Sequence, residues 1–147
     1  MTTAQEFEAF IDDKGFRHFR GAEFTPYWTR TREGVSNCMP PHALWPNIVP
    51  TLRVLNEFRE RLGSPVQLLS TYRSPDYNRA VGGESKSFHM QFRAIDFACG
   101  KGTPDQWADL LKRMRNTEGV FHGGIGVYSG KGFVHVDTRG YDANWRG

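Results

Sequence analysis

Residues 85–100 read SKSFHMQFRAIDFACG, and the fold turns on how the second half of that stretch is taken. Residues 93–98, RAIDFA, read as a strand bounded by a glycine at position 100. Successive side chains on a strand point to opposite faces. Ala94, Asp96 and Ala98 therefore share one face, and Ile95 and Phe97 the other. A carboxylate between two alanines has room for a partner, and burial without one is costly. That partner is expected from residues 133–138, FVHVDT, where the same alternation groups Phe133, His135 and Asp137 against Val134 and Val136. If the two strands are neighbours, Asp96 and His135 meet.

Working outward, VQLLST (66–71) reads as a buried strand, and GGIGVY (123–128) joins FVHVDT through SGKG as an antiparallel hairpin. Thr3 with Glu6 suggests a capping box for a helix over 3–13, with Phe7, Phe10 and Ile11 on one face and Gly15 as its stop. Residues 16–41 are irregular and aromatic and end in Pro40 and Pro41. The main helix lies within 43–62, where Leu44, Ile48, Leu52, Leu55, Phe58 and Leu62 recur at helical spacing before Gly63. Its regular part is expected after Pro46, with a kink or restart at Pro50. Ser74-Pro75 opens a short helix over 75–81, closed by Gly82-Gly83. Thr103-Pro104-Asp105-Gln106 opens another, with Trp107, Leu110, Leu111 and Met114 facing inward. The whole is α+β: a small antiparallel sheet with helices packed mainly on one face. One domain over 1–147 is expected, with an N-terminal helix and irregular segment (1–40) packed on it.

The 147 residues are 38% hydrophobic and 14% aromatic, which supports a core and argues against disorder. No apolar run approaches ~18 residues, so no membrane span is expected. The N-terminus, MTTAQEFEAFIDDKG, lacks the basic start and apolar core of a secretory signal. The protein is made without one, or the leader is missing from this sequence. The net charge of +3 is spread along the chain. It suits an anionic partner such as cell wall or nucleic acid, or simply a solvated surface. No recognised nucleic-acid motif is present, so no nucleic-acid partner is expected. Cys38 and Cys99 allow one disulfide or two separate thiols, and their spacing matches no metal motif.

His89 sits on the segment leading into strand 93–98. With Asp96 and His135 it makes three potential ligands, the number that catalytic zinc uses while keeping a fourth position for water. From spacing alone such histidines are more often satisfied core or surface residues than ligands, because His-x6-Asp has no unique geometry.

Three blocks in order carry a resemblance. Ser87-Phe88-His89 followed by Ala94-Ile95-Asp96 resembles the Ser-x-His-x-x-Gly-x-Ala-x-Asp signature of the zinc D-Ala-D-Ala carboxypeptidase family. That family includes phage L-alanoyl-D-glutamate endolysins, and the hedgehog signalling domain shares its fold. Upstream, STYRSPDYNRAVGG (70–83) is similar to the block preceding the signature. Downstream, GGIGVY and GFVHVDTRG (132–140) resemble the branch ending in Phe-Val-His-Val-Asp. The resemblance runs from about residue 40 to 145. It implies a hedgehog/DD-peptidase-like fold, Zn2+ held by His89, Asp96 and His135, and hydrolysis of a peptide bond in peptidoglycan stem peptides. The enzyme would be a carboxypeptidase or an endopeptidase, acting as a monomer on the wall, in the periplasm or in phage-type lysis. Arg73 matches the arginine that binds a peptide carboxylate, which suits a guanidinium fork. Ser87 matches the signature serine, a hydrogen-bond donor to substrate or a turn cap.

The chain departs from the pattern at two places. Phe92 stands where the signature has glycine, so the loop between the ligands is expected to run differently or to need no positive φ. Many relatives carry a general base just before the third ligand, where this chain has Gly132 and Phe133. Asp137, two residues past His135 on the same face, is the best substitute. It can equally orient His135 or pair with Arg139. His122, Glu84 and Asp142 are lesser candidates. Phe88, Phe92, Tyr128 and Trp145 either line the cleft or belong to the core. The alternative function is a non-catalytic zinc-containing module that binds wall peptides.

Overall fold

A computed structural model describes residues 1–147. The chain is α+β, built on a five-stranded sheet of order β3-β4-β6-β5-β7 and a separate two-stranded hairpin. The large sheet comprises β3 (Val66–Ser70), β4 (Ala94–Cys99), β5 (Gly124–Tyr128), β6 (Phe133–Asp137) and β7 (Ala143–Arg146). The hairpin, β1 (Thr31–Arg32) with β2 (Val35–Ser36), lies in the segment expected to be irregular. Strand β4 pairs antiparallel with β6, and Asp96 lies directly opposite His135. The β5–β6 hairpin forms as expected. One pairing in the otherwise antiparallel sheet is parallel: β7 adds along β5. Its sequence, ANWR, alternates apolar and polar residues but spans only four positions, too few for a strand to be read from the pattern alone.

Two helices cover one face of this sheet. Helix α2 (Ile48–Leu62) and helix α4 (Pro104–Asn116) meet it at Phe97, whose ring lies 5.2 Å from Phe58 and 6.3 Å from Trp107. Ile95, Phe97, Ile125, Val127, Val134 and Val136 are buried on that face. Each such burial stabilises the fold by about 1.5–3 kcal/mol. The opposite face carries Asp96, His135 and Asp137, as strand alternation requires.

Helix α2 begins as one piece at Ile48, after a 3-10 run over His42–Asn47. No restart occurs at Pro50, which falls in the first turn. The N–H that proline lacks would have no intrahelical partner there. Gly63 ends the helix in the left-handed conformation, with its N–H on the Arg59 carbonyl. Helix α4 has the Thr103–Gln106 capping box. In helix α1 (Thr3–Asp12) the box forms one residue earlier than expected, between Thr2 and Gln5. Helix α3 (Pro75–Ala80) is capped by Ser74. Both cysteines are free thiols, Cys38 exposed and Cys99 half-buried.

The N-terminal segment joins the same core, and it does so at the loop between His89 and Asp96. Phe92 is fully buried, with its ring 5.8 Å from Phe7, 6.1 Å from Phe24 and 5.8 Å from Trp28. Its φ is 56°. The expectation that the loop avoids positive φ is therefore corrected: the left-handed turn is kept, and a phenylalanine adopts it. The strain, about 1–2 kcal/mol, is offset by burial of the ring in an aromatic cluster. Phe92→Ala keeps the strain and loses the ring, so it is expected to destabilise the protein by about 3–5 kcal/mol in denaturant titration. Phe92→Gly should regain part of that loss. A Phe92→Gly variant more stable than the wild type would show that the ring does not hold the turn.

Candidate metal centre

His89, Asp96 and His135 come together from three segments, and their donor atoms all lie within 4.8 Å of one another. Asp96 Oδ1 is the meeting point, 3.2 Å from His89 Nε2 and 3.0 Å from His135 Nδ1. All three side chains are buried.

Each imidazole is held by its other nitrogen. His89 Nδ1 donates to the Thr71 carbonyl at 2.6 Å. A carbonyl only accepts, so the proton is on Nδ1 and the Nε2 lone pair faces inward. That Nε2 is buried and has no hydrogen-bond partner; its contact with Asp96 is close but misaligned. His135 Nε2 donates to Asp137 Oδ2 at 2.8 Å, which turns Nδ1 toward Asp96. Two lone pairs thus converge on one carboxylate oxygen. Acceptors packed this closely in a dry place require a positive charge among them. Bonds of 2.0–2.1 Å to a tetrahedral ion imply ligand spacings of ~3.3 Å. The observed 3.0 and 3.2 Å fit that geometry. Two neutral imidazoles and a carboxylate suit zinc and leave it one position open.

Without an ion, protons meet part of this demand. Burial pushes the His89 pKa down, and the Asp96 charge only partly offsets that. Burial also acts to lower His135, but hydrogen bonds to Asp137 and Asp96 outweigh it and the net shift is upward. For Asp96 burial acts to raise the pKa, yet the two imidazoles hold the carboxyl well below the usual range.

The other expected site residues lie around this set. Arg73 Nη2 is 3.5 Å from Asp96 Oδ2, Nη1 donates to Asn78 Oδ1 at 3.1 Å, and Nε donates to the Tyr27 hydroxyl at 3.4 Å. Ser87 Oγ accepts from the His89 backbone N–H at 3.2 Å, the turn-capping contact. Asp137 is fully buried and saturated. Its Oδ1 accepts from the Gly124 N–H and Arg139 Nε, both at 2.9 Å, and Arg139 Nη2 donates to Oδ2 at 2.7 Å. Burial acts to raise its pKa, but hydrogen bonds from His135 and Arg139 hold it well below the carboxylate range. The Arg139 guanidinium stacks on Phe88 at 4.3 Å.

Several candidates stand apart. His122 pairs with Asp142 at 3.3 Å on the surface, and Glu84 is exposed. Of the four aromatics expected in cleft or core, Phe92 is core, whereas Phe88, Tyr128 and Trp145 are half-buried. Thr71, Asn78 and Tyr27 contribute to the site without having been singled out, since a backbone acceptor or a remote amide leaves no mark on the local pattern. One available signal was the alternation of Gly124 and Gly126 within β5. Glycine inside a strand marks a close approach, and a Cβ on Gly124 would lie 2.6 Å from Asp137 Oδ2.

Residues 17–137 match a family model described as peptidase M15. The chain is 28% identical over 111 residues to a probable peptidoglycan L,D-endopeptidase MepK of Haemophilus influenzae, covering 72% of this chain and 56% of that protein. It is 35% identical over 79 residues to the peptidoglycan L,D-endopeptidase MepK of Escherichia coli K12, covering 50% of this chain and 40% of the relative. The chain thus spans about half the length of the curated relatives it matches. No solved structure matches it significantly.

Proposed function

The chain belongs to the peptidase M15 family, and on that premise we propose that it hydrolyses a peptide bond in peptidoglycan stem peptides with a zinc ion held by His89, Asp96 and His135. The observation that carries this reading is the convergence of His89 Nε2 and His135 Nδ1 on Asp96 Oδ1, with the far nitrogen of each ring tied down. A divalent ion bound there supplies Lewis acidity, polarising a carbonyl and acidifying water.

The remaining roles belong to the chain. Arg73 anchors a substrate carboxylate. Its three contacts occupy at most one N–H on each nitrogen, which leaves one on each terminal nitrogen for a bidentate pair. Ser87 caps the ligand turn with a lone pair and keeps its O–H for a substrate acceptor. For Asp137 we infer the orienting role rather than the base role, both of which the sequence left open. A carboxylate with both oxygens engaged, and stabilised as the anion, is poorly placed to take up a proton. It sets the His135 tautomer instead. The relatives' designation as L,D-endopeptidases favours internal cleavage over removal of a terminal residue.

One observation favours the rival reading, a zinc-containing module that binds wall peptide without cutting it. Gly132 and Phe133 occupy the positions where a base was sought, and neither takes a proton. Mass spectrometry of purified muropeptides incubated with the zinc-loaded protein separates the two. New fragment masses are expected. Retained binding with unchanged masses would establish the binder and refute the hydrolase.

A further inference from the structure

The C-terminal strand brings Trp145 to the metal centre, and we propose that Trp145 is a positioning residue for the third ligand, His135. The inference rests on the metal reading of the site. It concerns a residue beyond the family match, which ends at residue 137.

The register of the sheet carries the argument. Trp145 pairs with Gly126, Gly126 pairs with His135, and His135 pairs with Asp96. One row across four strands thus reads tryptophan, glycine, histidine, aspartate. Because Gly126 has no side chain, the indole lies over β5 and reaches the imidazole, ring centres 4.9 Å apart. A Cβ at Gly126 would sit 2.4 Å from the indole Nε1 and 2.5 Å from Cε2. Gly124 leaves similar room, its Cβ position being 2.8 Å from the indole Cζ3. The indole N–H donates to the Tyr128 hydroxyl at 2.8 Å, which sets the direction of the ring. Asp96 faces His135 Nδ1, Asp137 holds Nε2, and Trp145 packs against the ring itself. Rotation of the imidazole that would swing Nδ1 away from Asp96 is therefore resisted by packing as well as by a hydrogen bond.

The strand that delivers Trp145 is anchored from beneath. Arg115, only 2% exposed, donates from Nη1 to the carbonyls of Gly123 (2.8 Å) and Ala143 (3.2 Å), and from Nη2 to Asn144 Oδ1 (2.7 Å). A buried guanidinium is costly unless its donors are used. Here they stitch α4 to β7 and to the residue that leads into β5. At the far end of the strand, Arg146 pairs with Asp105 at 2.6 Å. The C-terminal residues therefore form a wall of the site.

The test is metal affinity, measured on the full chain by competition with a chelator of known strength, alongside the ligand-field spectrum of the cobalt(II)-loaded protein. Trp145→Ala is expected to weaken zinc binding by about tenfold or more, the range seen when groups supporting a ligand are removed, and to alter the cobalt spectrum. Trp145→Phe retains a ring against His135 and should restore most of the affinity and the wild-type spectrum. Gly126→Ala displaces the indole with Trp145 present and should weaken zinc binding similarly. Combined with Trp145→Ala it should add little, because both changes remove the same contact. Trp145→Ala or Gly126→Ala with wild-type affinity and an unchanged cobalt spectrum overturns the inference alone. A wild-type protein that takes up no zinc overturns the metal reading and this inference together.

Discussion

Replacing His89 with alanine is expected to abolish both tight zinc retention and peptide cleavage. Of the three proposed ligands, His89 is the one whose donor atom has no other use. Its Nε2 is buried, lacks a hydrogen-bond partner, and is aimed by the bond from Nδ1 to the Thr71 carbonyl. Alanine leaves Asp96 and His135, a two-ligand site that the surroundings cannot complete, since the nearest additional charge at Asp96 is the Arg73 guanidinium. Like charge repels an ion there. Two measurements check this: metal content after dialysis, and fragment masses from stem peptides. His89→Ala that keeps stoichiometric zinc would remove His89 from the ligand set. Wild-type cleavage that survives complete chelation would refute the metal mechanism whatever the variant does.

The second large effect is expected at Asp137. Asp137→Asn keeps the shape but puts an amide against the donors of three residues: His135 Nε2, the Arg139 guanidinium and the Gly124 N–H. One face of that amide is itself a donor, so at least one contact becomes donor against donor. Removing one partner of a buried, hydrogen-bonded charge pair costs about 3–5 kcal/mol. A loss of that order is expected in denaturant unfolding. The His135 ring also loses the acceptor that fixes its tautomer, and zinc affinity should fall by about 10–100-fold. These readouts separate the two roles of Asp137. A general base would leave zinc affinity near the wild type while turnover collapsed. An orienting group moves affinity first, and excess zinc restores part of the turnover.

How much of this was legible beforehand follows from how local each signal is. Alternation along residues 93–98 and 133–138 put Asp96, His135 and Asp137 on one face, and the Asp96–His135 cross-strand pair follows. That pattern has a period of two and needs only neighbours to be read. Helix α4 and its cap were equally local. The capping box of α1 was misplaced by one residue because Thr2 and Thr3 both fit the signature. At Phe92 the reading went wrong for a physical reason. Backbone strain can be judged from one residue, but the aromatic cluster that offsets it comes from Phe7, Phe24 and Trp28, far away in the chain.

By itself, then, the order of residues determined the α+β class and the strand faces, because these depend on propensity and periodicity over a few positions; the ligand candidates were singled out by the resemblance of three motif blocks. Only the tertiary structure decided which nitrogen of each histidine is free, that Asp137 is saturated, and that a four-residue C-terminal segment pairs in parallel with β5 and lays Trp145 against His135. Those outcomes depend on groups distant in sequence competing for the same donors and the same space, and no local pattern encodes the winner.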